Sequence, residues 1–509
     1  MAAILIRQRL DSILAYMQPY WEFVNCHMVN YLTDNYWDRF VPQQLRAEVC
    51  EGTDQVQRCI EMMFWHSSCE VFDGQFFSAF DKFLKESQRH RLRNFPDILT
   101  KLDELNANLG GLEREAKASI SIKEFMSEKK RHEVEITAEL VDDLIKRLQS
   151  KHHDADVFVI DAGDGKGYLS SRLALQYKHK VLGIDFNETN TVNALERSKK
   201  LQRAWSGLTD RALLENVGIT PPRRGKGRKN TNINNKNEME SRKVLENYKT
   251  TSKFITTELD FVQLMHENFP SLTVPGTTSN LQFCLTGLHT CGNLAPTCLK
   301  VFNAKQQFKI LCNIGCCYHL LKEEFSGQEF FGNKSIMDLQ SEPGFPMSSF
   351  LREKHFSLGR NARMLAAQSI QRTVAAKELP NISLFYRALL EMLICEKDVN
   401  LKNTVQVGRL RKFSNFQEYV DICNRKAGLQ LENVSLDRIV QLEKRYEADK
   451  KYLDLFYLLR MSFAPVLESL ILLDRLLYLH ELNYEQSFLI PLFDSVISPR
   501  HFCIVAVRS

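Results

Sequence analysis

The run Asp161-Ala162-Gly163-Asp164-Gly165-Lys166-Gly167 combines two acids with glycines at alternate positions. Glycines let a backbone approach a ligand closely, and a helix that follows offers unpaired N–H groups and a positive dipole end. The order is D-x-G-x-G-x-G rather than G-x-G-x-x-G, with the acid ahead of the glycines. That arrangement suits a ligand carrying an ammonium group better than one carrying a pyrophosphate. No G-x-x-x-x-G-K-[ST] run occurs, so a phosphate-cradling loop is not supported. Asp185 ends the next apolar run, where an acid can accept both hydroxyls of a ribose. S-adenosylmethionine meets these demands: its amino-acid end falls to Asp161, Gly163, Gly165 and Lys166, and its ribose to Asp185.

Two further constellations carry chemistry. Gly287-Leu288-His289-Thr290-Cys291-Gly292-Asn293 follows one apolar run, and Asn313-Ile314-Gly315-Cys316-Cys317-Tyr318-His319 follows another. His289 is the one neutral-pH base that this reading places at a strand end, and it is the candidate catalytic residue. Cys291, Gly292, Asn293, Cys316, Cys317 and His319 are expected to border the substrate crevice. Cysteine and histidine are residue types that zinc takes, but the spacing lacks the usual paired C-x-x-C pattern. Adjacent Cys316 and Cys317 on an extended backbone would point to opposite sides. The expectation is therefore small packing residues beside a functional loop, with no metal.

These residues need elements to position them. Val157-Phe158-Val159-Ile160 is a continuous apolar run bounded by turn residues, as in a strand buried on both faces of a parallel sheet. A helix over 169–177, a strand over 181–184 and a helix over about 191–205 follow, which is a βαβα pattern and predicts an α/β sheet. Further strands are expected over 253–256, 281–288 and 308–314. Phe488–Ser495 and His501–Val507, joined by a turn at Ser498-Pro499-Arg500, are expected to close the chain as an antiparallel pair. Before the sheet, Ile136, Leu140, Leu144 and Leu148 share one helix face, with Ser127 as N-cap.

Composition narrows the class. The chain has 509 residues, 44% hydrophobic and 25% charged, which excludes a disordered tail protein, a collagen and a small disulfide scaffold. Thirteen cysteines form no regular framework, and the N-terminus meets Arg7 before any signal-peptide core develops. The expectation is an intracellular protein, of cytoplasm or nucleus. The most apolar stretch, Phe463–Leu479, is interrupted by Glu468, Asp474 and Arg475 and reads as a core helix, with no membrane span. The net charge is only +5, but Pro222–Lys243 holds eight basic residues against Glu238 and Glu240. It reads as a basic loop, disordered over 207–250, whose stretch 223–243 could attract RNA.

Taken together, Asp161–Ser170, Gly287–Gly292, Gly315–His319 and Ser498-Pro499-Arg500 resemble the methyltransferase-like protein 25 family. Lys129-Lys130-Arg131-His132-Glu133, Gly344-Phe345-Pro346 and Phe385-Tyr386-Arg387 agree, so the resemblance runs over most of the chain. It implies a Rossmann-like, seven-stranded class I methyltransferase sheet with a helical N-terminal region and a helical insertion before the last hairpin. The expected layout is a helical region over 1–150, the main methyltransferase part over 151–321, the insertion over 322–460 and the closing helix and hairpin over 461–509. The resemblance implies S-adenosylmethionine-dependent methyl transfer. The H-x-C-G and Cys-Cys-x-His elements are also similar to a family of tRNA 2′-O-methyltransferases, which points toward RNA. A protein methyltransferase, or a non-catalytic scaffold that binds RNA or protein, are the alternatives. Two residues depart from the pattern: Asn293 stands where Asp is expected, and Asp164 where Ser is usual.

Overall fold

Val157–Ala162 forms the central strand β1, and all six residues are buried, as an uninterrupted apolar run requires. On one side it pairs in parallel with β2 (Val181–Asp185), which pairs in parallel with β3 (Tyr248–Ser252). On the other side lie β4 (Gln282–Cys291) and then β5 (Phe308–Cys316), again parallel. The chain closes with β6 (Ser487–Pro491) and β7 (Phe502–Val507); β7 runs antiparallel to both β5 and β6. The sheet order is β3-β2-β1-β4-β5-β7-β6. This is the seven-stranded arrangement implied by the resemblance. The order reverses between β1 and β4, so a crevice opens at the carboxyl ends of those strands.

The computed structural model describes residues 1–50, 52–65, 77–109, 126–151, 156–216, 218, 247–270, 281–326, 342–405, 407–408, 410, 412–431 and 434–508. The basic stretch 222–243 lies outside them.

Helix α1 (Glu128–Lys151) begins where Ser127 Oγ accepts the Lys130 N–H at 3.3 Å. Its buried residues Val134, Ala138, Val141, Ile145 and Leu148 recur every three or four positions. Most of that stripe joins Val157, Val159, Cys284, Ile310, Cys312 and Val505 in one core, so the helix covers a face of the sheet. Helices α2 (Tyr168–Gln176), α3 (Glu188–Asn216), α4 (Phe261–Asn268) and α5 (Leu294–Ala304) are the crossovers between parallel strands. Helix α6 (Ala464–Glu481) contains the most apolar stretch; Leu467, Leu470, Ile471, Leu473 and Leu477 in it are fully buried. The stretch Asp449–Glu481 is long and apolar enough to cross a membrane by length and composition, and 89% of its most apolar window is buried inside the protein.

Several boundaries differ from expectation. Helix α3 continues to Asn216, through residues expected in a loop from 207, because Leu201 and Leu208 stay buried against Leu175. Strand β3 is Tyr248–Ser252, so the loop expected to end at 250 ends earlier and 253–256 is irregular. At the sheet edge only Tyr248 of that strand is buried, so Tyr-Lys-Thr-Thr-Ser carries no apolar signature. Strand β4 runs to Cys291 rather than 288, which places His289 and Cys291 on the strand itself.

The chain forms two compact units that interleave along the sequence. One comprises Met1–Leu10, Phe95–Leu358 and Ile471–Ser509 and holds the sheet; the other comprises Asp11–Asn94 and Gly359–Leu470 and is helical where described. The helical region expected over 1–150 and the insertion expected over 322–460 are therefore each divided. Of the described residues, 1–10, 95–109, 126–151, 322–326 and 342–358 go with the sheet, the helix α1 through its apolar stripe. The helical unit has its own aromatic centre, in which the Phe23 and Phe456 rings lie 4.8 Å apart and both are buried.

Ile145 is fully buried beneath the sheet. Ile145→Ala is expected to lower unfolding free energy by about 2–5 kcal/mol, read from urea denaturation followed by circular dichroism.

Candidate functional site

After β1 the chain turns through Gly163, Gly165 and Gly167, at φ +76, +58 and +65°, and enters α2 at Tyr168. Gly167 shows why glycine is needed: a Cβ there would meet the Tyr248 hydroxyl at 2.5 Å. Over Gly165 the nearest atom to such a Cβ is 3.8 Å away, which leaves room for a ligand. Asp161 and Asp164 are both buried and share one hydroxyl. Ser170 Oγ lies 2.8 Å from Asp161 Oδ2 and 2.6 Å from Asp164 Oδ1, and the Tyr248 hydroxyl donates to the other Asp164 oxygen. A serine hydroxyl has one proton and cannot donate to two carboxylates at once. Burial raises both carboxyls above their usual range, and the charge of Asp164 raises Asp161 further. Arg197, 3.9 Å over the Tyr168 ring, is a cation within reach of Asp164, and the two acids outnumber it, which fits an ammonium group.

Asp185, at the carboxyl end of β2, reaches back to this turn. Its Oδ2 accepts the Gly165 N–H at 3.0 Å, while Oδ1 accepts from the Asn187 N–H at 2.8 Å and Asn190 Nδ2 at 3.2 Å. The acid and the glycine turn are thus one hydrogen-bonded unit, and an ionised carboxylate still has lone-pair capacity for a hydroxyl. Lys166, expected with this group, is exposed and stands outside these bonds.

Across the switch point, His289 sits in a bulge of β4. The ladder to β5 shifts register between Leu288 and Thr290, and His289 adopts φ +72°. A left-handed, non-glycine residue costs on the order of 1–3 kcal/mol and persists only when its surroundings hold it. Here the holder is Glu133 of α1, fully buried, whose Oε2 lies 2.9 Å from His289 Nε2. Ser498 Oγ donates to Glu133 Oε1 at 2.7 Å, and the Lys129 and Lys130 ammonium groups lie 3.5 and 3.3 Å from its oxygens. Burial alone would push the Glu133 carboxyl up, but the His289 and Ser498 hydrogen bonds and nearby positive charge bring it down to about 2. With Nε2–H donated to that carboxylate, His289 Nδ1 is the nitrogen left with a lone pair. Glu133 and Ser498 were not among the expected site residues. Glu133 had one signal: it continues the buried stripe of α1 through Thr137, Leu140 and Leu144, where an acid must have a partner.

Cys291 and Cys316 are paired in register at the ends of β4 and β5. Cys317 does not continue the extended strand; at φ +50° it turns its sulfur back toward Cys316, contrary to the expectation that the two point apart. The three sulfurs converge, at 3.0 Å for Cys291–Cys316, 3.3 Å for Cys291–Cys317 and 3.6 Å for Cys316–Cys317. Hydrogen bonding from Cys291 and Cys316 pulls the Cys317 thiol down; hydrogen bonding to Cys291 and Cys317 and then burial push Cys316 up. His319 is half-buried in the short turn Tyr318–Leu320, and Gly292 is buried at φ +54°.

Asn293 holds this rim rather than facing it as an acid would. Its Oδ1 accepts the Lys322 N–H at 2.8 Å and its Nδ2 donates to the Glu342 carbonyl at 3.0 Å. An ionised aspartate could not make the second bond, so the amide answers a local structural demand.

A family model described as a methyltransferase domain matches residues 129–324, from the turn carrying Glu133 to just beyond the cysteine cluster. The chain is 29% identical to "Probable methyltransferase-like protein 25" of Homo sapiens, over 99% of this chain and 97% of that protein. It is likewise 29% identical to the Mus musculus protein of the same name, over 99% of this chain and 96% of that one. No solved structure matches. The resemblance read from the motifs agrees with these relatives.

The lowered Glu133 carboxyl contributes stability that is present above its ordinary value near 4.5 and lost as pH falls toward about 2. The stability gap between the native protein and Glu133→Gln, on the order of 2–3 kcal/mol at pH 7, is expected to shrink across that window. Urea denaturation of both proteins from pH 7 to pH 2.5 measures it; a gap independent of pH would refute the paired carboxylate.

Proposed function

Taking the chain as a methyltransferase built on a class I α/β sheet, we propose that it uses S-adenosylmethionine to methylate a hydroxyl or amine of RNA. The observation that carries this reading is the junction of two chemistries at one switch point. Buried acids stand at the ends of β1 and β2, and an imidazole bonded to Glu133 stands at the end of β4. When bound, S-adenosylmethionine supplies an electrophilic methyl group on a sulfonium. Asp161, with Asp164 behind it, would hold the ammonium, Gly163 and Gly165 would admit the amino-acid end, and Asp185 would accept from the ribose.

His289 Nδ1 takes the proton that a hydroxyl or amine acceptor loses as it is methylated. Glu133 holds the ring in the required tautomer and stabilises the imidazolium that results, in the way a buried carboxylate supports a catalytic histidine elsewhere. The imidazolium then returns its proton to solvent. Much of the rate enhancement would come from alignment of acceptor and donor, worth up to about 7–11 kcal/mol in favourable cases. Asn293 takes no part in proton transfer on this reading. An intracellular setting, cytoplasmic or nuclear, would keep the crevice thiols reduced.

RNA is favoured by the likeness of the two Cys/His elements to a tRNA-modifying family and by the net +6 of residues 222–243. In sequence that stretch lies between α3 and β3, outside the glycine turn and Asp185. Its lysines and arginines would supply sequence-independent attraction to the phosphate backbone.

Two outcomes are expected. Asp185→Ala should weaken S-adenosylhomocysteine binding by roughly 1.5–3 kcal/mol, one to two decades in Kd by calorimetry, with the fold intact. Deleting 222–243 should weaken RNA binding and flatten its salt dependence, while leaving S-adenosylhomocysteine affinity unchanged. Tritiated methyl transfer to total RNA and to total protein then decides the acceptor. Label in protein alone would overturn the RNA reading, and label in neither would favour a scaffold.

A further inference from the structure

The three-cysteine cluster does more than packing asks of it. We propose that Cys291, Cys316 and Cys317 hold a zinc ion at the mouth of the crevice, with a fourth coordination position open to solvent. The three sulfurs lie within 4.8 Å of one another and come from two different strand ends. Tetrahedral zinc with bonds of about 2.3 Å sets thiolates roughly 3.8 Å apart. The observed separations of 3.0, 3.3 and 3.6 Å need to open by only a few tenths of an ångström to nearly an ångström.

Comparison with other cysteines of the same sheet sharpens the point. Cys312 and Cys503 also touch, at 3.6 Å, but both are fully buried in the apolar core and form a pair. Cys291 is exposed, and Cys317 reaches the cluster only by adopting left-handed backbone. An apolar contact gives no reason for that conformation; a ligand set that needs a third thiolate does.

Charge gives a second, independent observation. Arg475 is 1% exposed, and none of its three guanidinium nitrogens has a hydrogen-bond partner among the described residues. It lies against β5 beside the cluster: a Cβ on Gly315 would meet its Nη1 at 2.4 Å. The Tyr318 ring lies 5.7 Å from it and the charge of neighbouring Asp474 reaches it, but the Asp474 oxygens accept from the Met347 and Ser348 N–H groups and the Ser348 hydroxyl rather than from the guanidinium. A buried guanidinium needs negative charge nearby. Three thiolates on a divalent cation leave a net charge of −1 in that place. Zinc there would tie together the ends of β4 and β5, and so brace the bulge that carries His289.

The test reads metal and needs neither methyl donor nor acceptor, so it stands apart from the reading of function. The full chain is loaded with zinc under reducing conditions, dialysed against metal-free buffer and analysed by plasma mass spectrometry. One zinc per chain is expected. Cys317→Ser should lower zinc content at least about tenfold, while Cys298→Ser, which alters a buried cysteine of α5 outside the cluster, should retain it. Cobalt replacement in the unmutated protein supplies a readout that no folding defect can mimic: thiolate-to-cobalt charge-transfer absorption with tetrahedral ligand-field bands. Absence of zinc after loading, zinc unaffected by Cys317→Ser, or a Cys291–Cys316 disulfide in protein isolated without oxidant would each overturn the proposal.

Discussion

A fully buried carboxylate, Glu133, sets the terms for one half of this molecule. An ion taken out of water must be surrounded by donors, and each donor here comes from a different part of the chain. His289 comes from the bulge of β4, Ser498 from the turn before β7, and Lys129 and Lys130 from the same helix. One side chain therefore fixes the covering helix, the strand irregularity and the closing hairpin relative to one another. The strained backbone of His289 is tolerated because these contacts over-determine it.

The other half is organised by the opposite imbalance. Asp161, Asp164 and Asp185 gather at the ends of β1 and β2 with hydroxyls and backbone N–H groups as their donors. The Asp161 and Asp164 carboxyls are raised first by burial, and Asp161 then by the nearness of Asp164. The crevice is thus polar in a directed sense: acids on the β1–β2 side, imidazole and thiols on the β4–β5 side. A parallel sheet produces this separation cheaply, because every strand delivers its last residues to the same edge.

Departures from the family pattern gain meaning in this frame. Asp164 is a buried acid bonded to Ser170 and Tyr248, so it deepens the negative character of the pocket. Asn293 bridges two backbone segments with both ends of its amide, a task for which the carboxylate expected there lacks a donor. Neither set of bonds involves the carboxylate–imidazole pair of Glu133 and His289.

What the sequence determined by itself was local. The buried strand, the alternating glycines, Asp185 and the identity of His289 were legible because each depends on a few consecutive residues: an apolar run, a turn needing positive φ, an acid at a strand end. The helix N-cap at Ser127 was legible for the same reason. Tertiary structure decided what depends on distance along the chain. Glu133 and His289 are separated by 156 positions, and no periodicity announces that a buried acid on one element answers a bulge on another. Strand β3, expected over 253–256, lies at Tyr248–Ser252, because an edge strand needs few apolar residues to mark it and its key contact is one tyrosine hydroxyl. The convergence of Cys316 and Cys317 was hidden because strand geometry assigns neighbours to opposite faces, and only a left-handed residue at the strand's end reverses that. The division of the helices between two units was likewise undecided by pattern, since an apolar stripe states that a helix must be covered and not by what.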